Sequence, residues 1–169
     1  MYEKSIELLN LAVADEIEAV HQYMYFHFHC DNQGYDLLSS LFRKTAIEEM
    51  SHVELIAERI LFLKGDVDIK AKSKPNKLHD VKDMLKQSLS MEEQSIKDYN
   101  SSIIACTTHS DSVTRKLFEQ LVMDEERHMN QFDTELENLK KFGDQYLALQ
   151  SIERSKTLAA QAGANQTGA

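Results

Sequence analysis

The sequence is poor in helix-breaking residues and lacks the marks of membrane or secreted proteins. Among 169 residues there are one proline and five glycines, and nothing indicates a second folding unit, so one domain with a full core is expected. No apolar run is long enough to span a bilayer, and the N-terminal segment is patterned as a helix rather than as a cleavable signal. We therefore expect a cytoplasmic protein that does not enter a membrane.

Cysteine and positive charge are also scarce. The two cysteines, Cys30 and Cys106, match neither a disulfide framework nor a zinc motif, so free thiols are expected. The chain has 19 lysines and arginines against 28 aspartates and glutamates, for a net charge of −9. This balance argues against a nucleic-acid surface and suits a protein that collects cations.

Two Glu-x-x-His pairs interrupt the apolar faces of predicted helices. Glu49 and His52 form one pair, and Glu125 and His128 form the other. Positions i and i+3 share a helix face, and here that face carries apolar side chains on both sides of each pair. These flanking residues are Leu38, Phe42, Ile56, Ile60, Phe118, Leu121, Phe132 and Leu139. All four polar side chains are therefore predicted to point into a core.

The spacing between the pairs indicates one helical hairpin used twice. The interval from Glu16 to Glu49 equals the interval from Glu92 to Glu125, so the two halves of the chain are related by a constant offset of 76. Tyr23 and Tyr99 repeat at the same offset. Each of four helices thus contributes an inward glutamate, and two add a histidine. This is the ligand set of carboxylate-bridged di-metal sites in four-helix bundles.

Charge balance favours metal over a purely structural interpretation. Four carboxylates in one low-dielectric core would repel one another, whereas two divalent ions cancel their charge. Taken alone, a glutamate on an apolar stripe is ordinarily a boundary position, and a lone core histidine is more often hydrogen-bonded than metal-bound. Repetition of the whole set with identical spacing supports the metal. The predicted ligands are Glu16, Glu49, His52, Glu92, Glu125 and His128.

The sequence predicts an all-α antiparallel four-helix bundle with one long crossover and a short C-terminal fifth helix. The long helices are predicted over 4–31, 35–64 and 79–108, and from the turn at 107–112 to Phe142. The polar segment 66–77 forms the crossover. Residues 144–150 are predicted to form the short helix, which completes a di-metal domain over 1–150. Residues 151–169 are predicted to be a loosely ordered tail.

With these residues in place, the chain resembles the bacterioferritin family, of ferritin-like fold, over nearly all of 1–150. The motifs are E-x-x-A-x-x-Q-Y from Glu16, E-M-x-H from Glu49 followed by ERILFLKG, D-E-E-x-H from Asp124, and the terminal YLALQ. The resemblance implies two irons per subunit, bridged by Glu49 and Glu125. It implies Glu16 and Glu92 as terminal ligands, with His52 on one iron and His128 on the other.

The resemblance also implies a haem b at a two-fold subunit interface, held by Met50 from each of two subunits. A thioether is a suitable iron ligand, although a methionine on an outer face can also serve only in interface packing. The chain departs from the family at Lys44 and Glu48, where some members place a His and an Asp that bind iron on the inner surface. Ile56 and Gln131 stand where the family often has a tyrosine and a tryptophan as electron donors, so electron supply would rest on Tyr23, with Tyr99 as a second candidate. Tyr23 could also hydrogen-bond a terminal carboxylate.

The function implied is that of a ferroxidase, which oxidises Fe(II) with O2 or H2O2 and stores the ferric mineral in a shell. A homo-oligomer of 24 subunits is expected, with a dodecamer as the alternative, and a ferredoxin-type reductant could release the iron. Three rivals stay open: a rubrerythrin-like di-iron peroxidase or oxidase without storage, a DNA-protecting mini-ferritin, and a metal-free bundle scaffold. The missing Cys-x-x-Cys module argues against the first, and six ligands within one chain argue against the second.

Overall fold

Five helices form the part of the chain that the computed structural model describes, residues 2–166, with side chains described through residue 157. The helices are α1 (Glu3–Gln33), α2 (Asp36–Phe62), α3 (Val81–Thr108), α4 (Ser112–Phe142) and α5 (Asp144–Gln166). The predicted all-α class is confirmed, and the four long helices begin and end close to the predicted positions. None of these helices is long and apolar enough to cross a membrane.

Local sequence explains where the long helices begin and end. Gly34 follows α1 with φ of 82°, a left-handed conformation that glycine adopts without steric cost. Its N–H donates to the Asp31 carbonyl, and the N–H of Tyr35 donates to the Cys30 carbonyl. Asp80 caps α3 by accepting from the Asp83 N–H at 3.1 Å. The repeat therefore begins its second hairpin with a conventional cap.

The four long helices form an antiparallel bundle. Along α1 and α3, Tyr23 contacts Glu92 and Tyr99 contacts Glu16, so the two helices run in opposite directions. The crossover between α2 and α3 follows the middle of α1, with hydrogen bonds to α1 residues from Asn10 to Gln22. The N–H of Lys72 donates to a carbonyl of α1 at 3.2 Å. This long return path brings α3 back alongside α1, as a bundle with one crossover requires.

Two apolar clusters lie on either side of a polar middle layer. The first contains Phe26, Phe42 and Phe132, which are fully buried. The second contains Ile60 and Phe118. Burying each such side chain contributes about 1.5 to 3 kcal/mol, so the clusters hold the helices together while the layer between them carries charge. Cys30 belongs to the first cluster and Cys106 to the second, and both are free thiols as predicted.

The C-terminal helix is longer than the sequence predicts. It begins at Asp144 as expected but continues past Gln150, through the segment predicted to be a loose tail, to Gln166. Residues 151–157 contain no proline or glycine, and Lys156 pairs with Glu153 at 2.7 Å, a spacing that supports a helix. The first turns dock on the bundle, where the Gln150 side chain accepts from the Leu38 N–H at 3.4 Å. Residues 167–169 lie outside the described part.

Candidate metal centre

Six polar side chains converge in the middle layer, between the two apolar clusters. Each of the four long helices supplies a glutamate, and α2 and α4 each add a histidine one turn further on. Relative exposure of all six is 5% or less. They are Glu16, Glu49, His52, Glu92, Glu125 and His128. The predicted placement of every one of these side chains inside the bundle is therefore confirmed.

The six side chains form two overlapping groups of candidate ligands. Glu49 and Glu125 belong to both groups. Glu16 and His52 complete the first group, while Glu92 and His128 complete the second. In each group the four ligand atoms lie within 4.8 Å of one another. Two adjacent ions that share two carboxylates would use this arrangement.

Several of these atoms lack hydrogen-bond partners although they are fully buried. They are both carboxylate oxygens of Glu49, Oε1 of Glu125 and Nδ1 of His52. Nδ1 of His52 lies only 2.9 Å from Oε2 of Glu49, yet the orientation makes no hydrogen bond. A buried polar atom without a partner costs free energy. The donor set of carboxylate oxygens and imidazole nitrogens fits iron and other divalent ions, so the residues present suit a di-metal centre.

Burial and the crowding of charge shift the pKa values of several side chains in this layer. Burial, with repulsion from Glu125 and Glu49, raises the pKa of Glu16 well above its usual value. The pKa of Glu92 is raised for the same reasons, burial first. Burial alone would lower the pKa of His128, but Glu125 and Glu49 raise it to about 10. At neutral pH the His128 imidazole therefore carries a second ring proton, which a divalent ion bound to it would displace.

Tyr23 and Tyr99 hold, from across the bundle, the two glutamates that each belong to only one ligand group. The Tyr23 hydroxyl donates to Oε1 of Glu92 at 2.5 Å, and the Tyr99 hydroxyl donates to Oε1 of Glu16. Burial, followed by the nearby carboxylates, raises the pKa of both phenols, so they stay neutral donors. Each hydroxyl fixes one oxygen of its glutamate and leaves the other free to bind a cation.

The outer nitrogens of the two imidazoles face a second pair of carboxylates. Nε2 of His128 lies 2.7 Å from Glu48, and Nε2 of His52 lies 3.7 Å from Asp124. Arg127 joins the two carboxylates, at 2.9 Å from Glu48 and 3.2 Å from Asp124. A carboxylate behind a ligating imidazole fixes its ring orientation and raises its basicity.

The sequence prediction did not assign these outer partners, although the repeat offset of 76 relates Glu48 to Asp124. That relation was the available signal. Lys44, another position that departs from the bacterioferritin pattern, pairs with Glu48 at 3.8 Å. The departures at 44 and 48 therefore form an ion pair next to His128 instead of presenting a His and an Asp.

Met50 lies outside this centre. Its side chain is 50% exposed, and Ile47, one turn earlier on α2, is 42% exposed. The prediction that Met50 points away from the core is consistent with this exposure.

The fold and the centre together define the class of four-helix-bundle proteins with a carboxylate-bridged di-metal site. Residues 6–142 match the Ferritin-like domain family. The chain is 34% identical over 145 residues to a bacterioferritin of Desulfovibrio desulfuricans, covering 86% of this chain and 81% of that protein. It is 33% identical over 142 residues to one of Brucella melitensis, covering 84% and 88%.

A solved structure extends the similarity to three dimensions. The Desulfovibrio desulfuricans bacterioferritin, studied with its diiron site in different catalytic states, superposes with a TM-score of 0.86 at 33% identity. The match covers 88% of this chain and 86% of that one. The chain belongs to the bacterioferritin family.

Proposed function

We propose that this protein is an iron-storage ferroxidase that oxidises Fe(II) at an intrasubunit centre and deposits ferric mineral in a protein shell. The observation that carries the proposal is the pair of overlapping ligand groups that share Glu49 and Glu125. Membership of the bacterioferritin family supports the same function. Glu16 with His52, and Glu92 with His128, would complete the coordination of the two irons.

The two ligand groups would hold two Fe(II) ions, each of which would give up one electron. Two electrons reduce O2 to H2O2, or H2O2 to two waters, with two protons taken up in either case. The carboxylates suit this change because oxygen ligands tolerate both iron charges. Because Glu49 and Glu125 belong to both groups, they would keep the two electron donors adjacent.

The two tyrosine hydroxyls, and the carboxylates of Glu48 and Asp124, would keep the ligands oriented while the charge of the iron changes. Tyr23 and Tyr99 each hold one oxygen of a terminal glutamate, and Tyr23 is also placed to donate an electron. Glu48 accepts from Nε2 of His128, which leaves Nδ1 to face the cation. These contacts preorganise the centre before iron arrives.

The number of subunits in the assembly distinguishes this function from its rivals. Storage requires a hollow shell, for which we expect 24 copies of the 19.4 kDa chain. A rubrerythrin-like peroxidase or oxidase is expected as a dimer, and a DNA-protecting mini-ferritin as a dodecamer. Light scattering on the purified protein distinguishes these assemblies, because their masses differ at least two-fold from one another. A metal-free scaffold is disfavoured by the unpartnered carboxylate and imidazole atoms of the centre.

Anaerobic addition of Fe(II), followed by air, tests the chemistry. We expect two Fe(II) per subunit to bind first and then to oxidise on mixing with O2 or H2O2, much faster than free Fe(II) in the same buffer. Protein that oxidised iron no faster than buffer would contradict the proposal.

Release of stored iron by a ferredoxin-type reductant and a cytoplasmic location remain predictions from the sequence.

A haem b between two subunits belongs to the same proposal, with Met50 as the axial ligand from each. The residues fit to the extent that the Met50 thioether is half-exposed on the outward face of α2, where another subunit could reach it. When bound, such a haem would carry electrons between the surface and the interior. The proposed oxidation of Fe(II) does not require the haem.

The absorption spectrum of purified protein tests haem binding. We expect a haem Soret band that Met50→Leu removes, because leucine keeps the apolar volume but lacks the sulfur ligand. Met123→Leu is the matched control, since Met123 is another exposed methionine, on α4, and its band should be unchanged. Equal haem content in wild type and Met50→Leu would exclude Met50 as the ligand.

A further inference from the structure

A cavity opens from the surface onto the metal centre between α1 and α3. Its volume is about 110 Å³, and its inner end is lined by Glu16, Glu49, Glu92 and Glu125. Oxygens of Glu49 and Glu125 at this inner end are buried without hydrogen-bond partners. A cation that followed the cavity inward would therefore reach ligands that are free to bind it.

The outer end of the cavity is acidic apart from one lysine. Asp15, Glu18 and Asp98 line it, together with Lys72 from the crossover. Nζ of Lys72 lies 2.8 Å from Oδ1 of Asp15, which is 18% exposed. A second cavity on the neighbouring surface is also lined by Lys72, Asp15 and Asp98. The ammonium group therefore lies where two openings meet, among three carboxylates that would otherwise attract a divalent ion.

The crossover holds this lysine in place through its backbone. The Lys72 N–H donates to the carbonyl of Ala14 on α1 at 3.2 Å. The hydroxyl of the next residue, Ser73, donates to Oε1 of Glu18 at 2.7 Å. Because the anchors are on the backbone and on the neighbouring residue, the Lys72 side chain itself is 58% exposed and free to swing away.

We propose that Lys72 is a tethered cation that occupies the outer binding position of the iron uptake route and limits the rate at which Fe(II) reaches the centre. The inference rests on the proposed ferroxidase function, which supplies the destination. An incoming ion must displace the ammonium group from Asp15 before it can use that carboxylate, and it is repelled until the displacement occurs. Once the lysine has moved, Asp15, Glu18 and Asp98 pass the ion inward.

Binding of Co(II), which O2 does not oxidise at such ligands, measures the uptake step apart from catalysis. Lys72→Met removes the charge and keeps most of the length of the unbranched side chain, while Lys72→Arg keeps the charge. Lys70→Met is the matched control, because Lys70 is in the same segment but pairs with Asp68 and is 70% exposed. Stopped-flow absorbance of bound Co(II) gives the rate, titration gives the number of ions bound, and thermal melts check folding.

We expect Lys72→Met to bind Co(II) about five times faster than wild type at low ionic strength, the scale of one charge acting on a divalent ion across several ångströms. The difference should largely vanish in about 0.5 M salt, and Lys72→Arg and Lys70→Met should change the rate less than about two-fold. Two ions per subunit should still bind in every variant.

Equal rates for Lys72→Met and Lys70→Met would overturn the proposal. An acceleration that salt does not reduce, or that Lys72→Arg reproduces, would also overturn it, since either result shows that the positive charge of Lys72 does not limit the rate. Wild type that binds no Co(II) at these ligands would instead contradict the proposed function, and the destination of the route would be lost with it.

Discussion

Replacement of Glu125 by glutamine is expected to slow Fe(II) oxidation about a hundred-fold or more, equivalent to at least about 2.7 kcal/mol of activation free energy. Glu125 is shared by both ligand groups, so its loss affects both iron positions at once. A carboxamide keeps the shape of the side chain but carries no negative charge and cannot bridge two cations. The measurement is the initial rate of Fe(III) formation after anaerobic loading with two Fe(II) per subunit.

Glu126→Gln is the matched control for this experiment. Glu126 is the next residue on α4, is exposed and belongs to neither ligand group. The same change of charge at this position should leave the oxidation rate within about two-fold of wild type, because solvent and salt screen the charge of an exposed side chain. If both variants oxidised iron as fast as wild type, the chemistry would lie elsewhere in the molecule.

Removal of metal is expected to lower the melting temperature, and by more at higher pH. Glu16, Glu92, His52 and His128 all have raised pKa values in the metal-free fold. Each contributes stability that is complete below its ordinary pKa and is lost as pH rises through its folded value, which is about 10 for His128. The metal-free fold should therefore weaken steadily from mildly acidic to alkaline pH.

Glu125 has the opposite sign but acts outside this range. Burial would raise the pKa of Glu125, but the neighbouring imidazoles of His128 and His52 lower it to about 2. The stability it contributes is present above the ordinary carboxyl pKa and is lost only as pH falls through about 2. Glu125 therefore does not offset the loss of stability of the metal-free fold between pH 6 and 9. In that range the expected change in the stabilisation by metal is about 1.4 kcal/mol per pH unit for each proton that metal displaces.

Differential scanning calorimetry at pH 6, 7.5 and 9, with Co(II) and with a chelator, tests this expectation. The gap between the two melting temperatures should widen by roughly 3 to 6 °C per pH unit for each displaced proton. Glu92→Gln should flatten the metal-free curve, because one of the groups with a raised pKa is gone. Glu93→Gln, at the exposed neighbouring position, should not. A gap that stayed constant with pH would show that the buried groups do not exchange protons for metal.

The ligand set can be predicted from the sequence because two of its features are regular: each ligand lies on the buried face of a helix, and one half of the set repeats the other. A helix buries one face, so a polar residue on an apolar stripe reports its own burial, as Glu49 and His52 do. The offset of 76 then relates one half of the site to the other. The ends of the long helices were predictable for similar reasons, since Gly34 and Asp80 are local signals that need no tertiary contact.

The features that the sequence did not predict depend on contacts between elements. Glu48 contacts His128 only because α2 packs against α4. In the sequence the two residues belong to different helices, so helical spacing does not relate them. Lys72 reaches Asp15 because the crossover, which has no periodicity to indicate its path, follows α1. The C-terminal helix extends through a segment without apolar periodicity, so the pattern that revealed the other helices was missing there.

Anomalous scattering from crystals soaked in Co(II) or, without oxygen, in Fe(II) tests the central claim most directly. Two peaks per subunit are expected, roughly 3.5 to 4 Å apart, both within bonding distance of Glu49 and Glu125. One peak should also contact Glu16 and His52, and the other Glu92 and His128. A single peak elsewhere, or ions bound only to surface carboxylates while these six side chains stayed metal-free, would contradict the account.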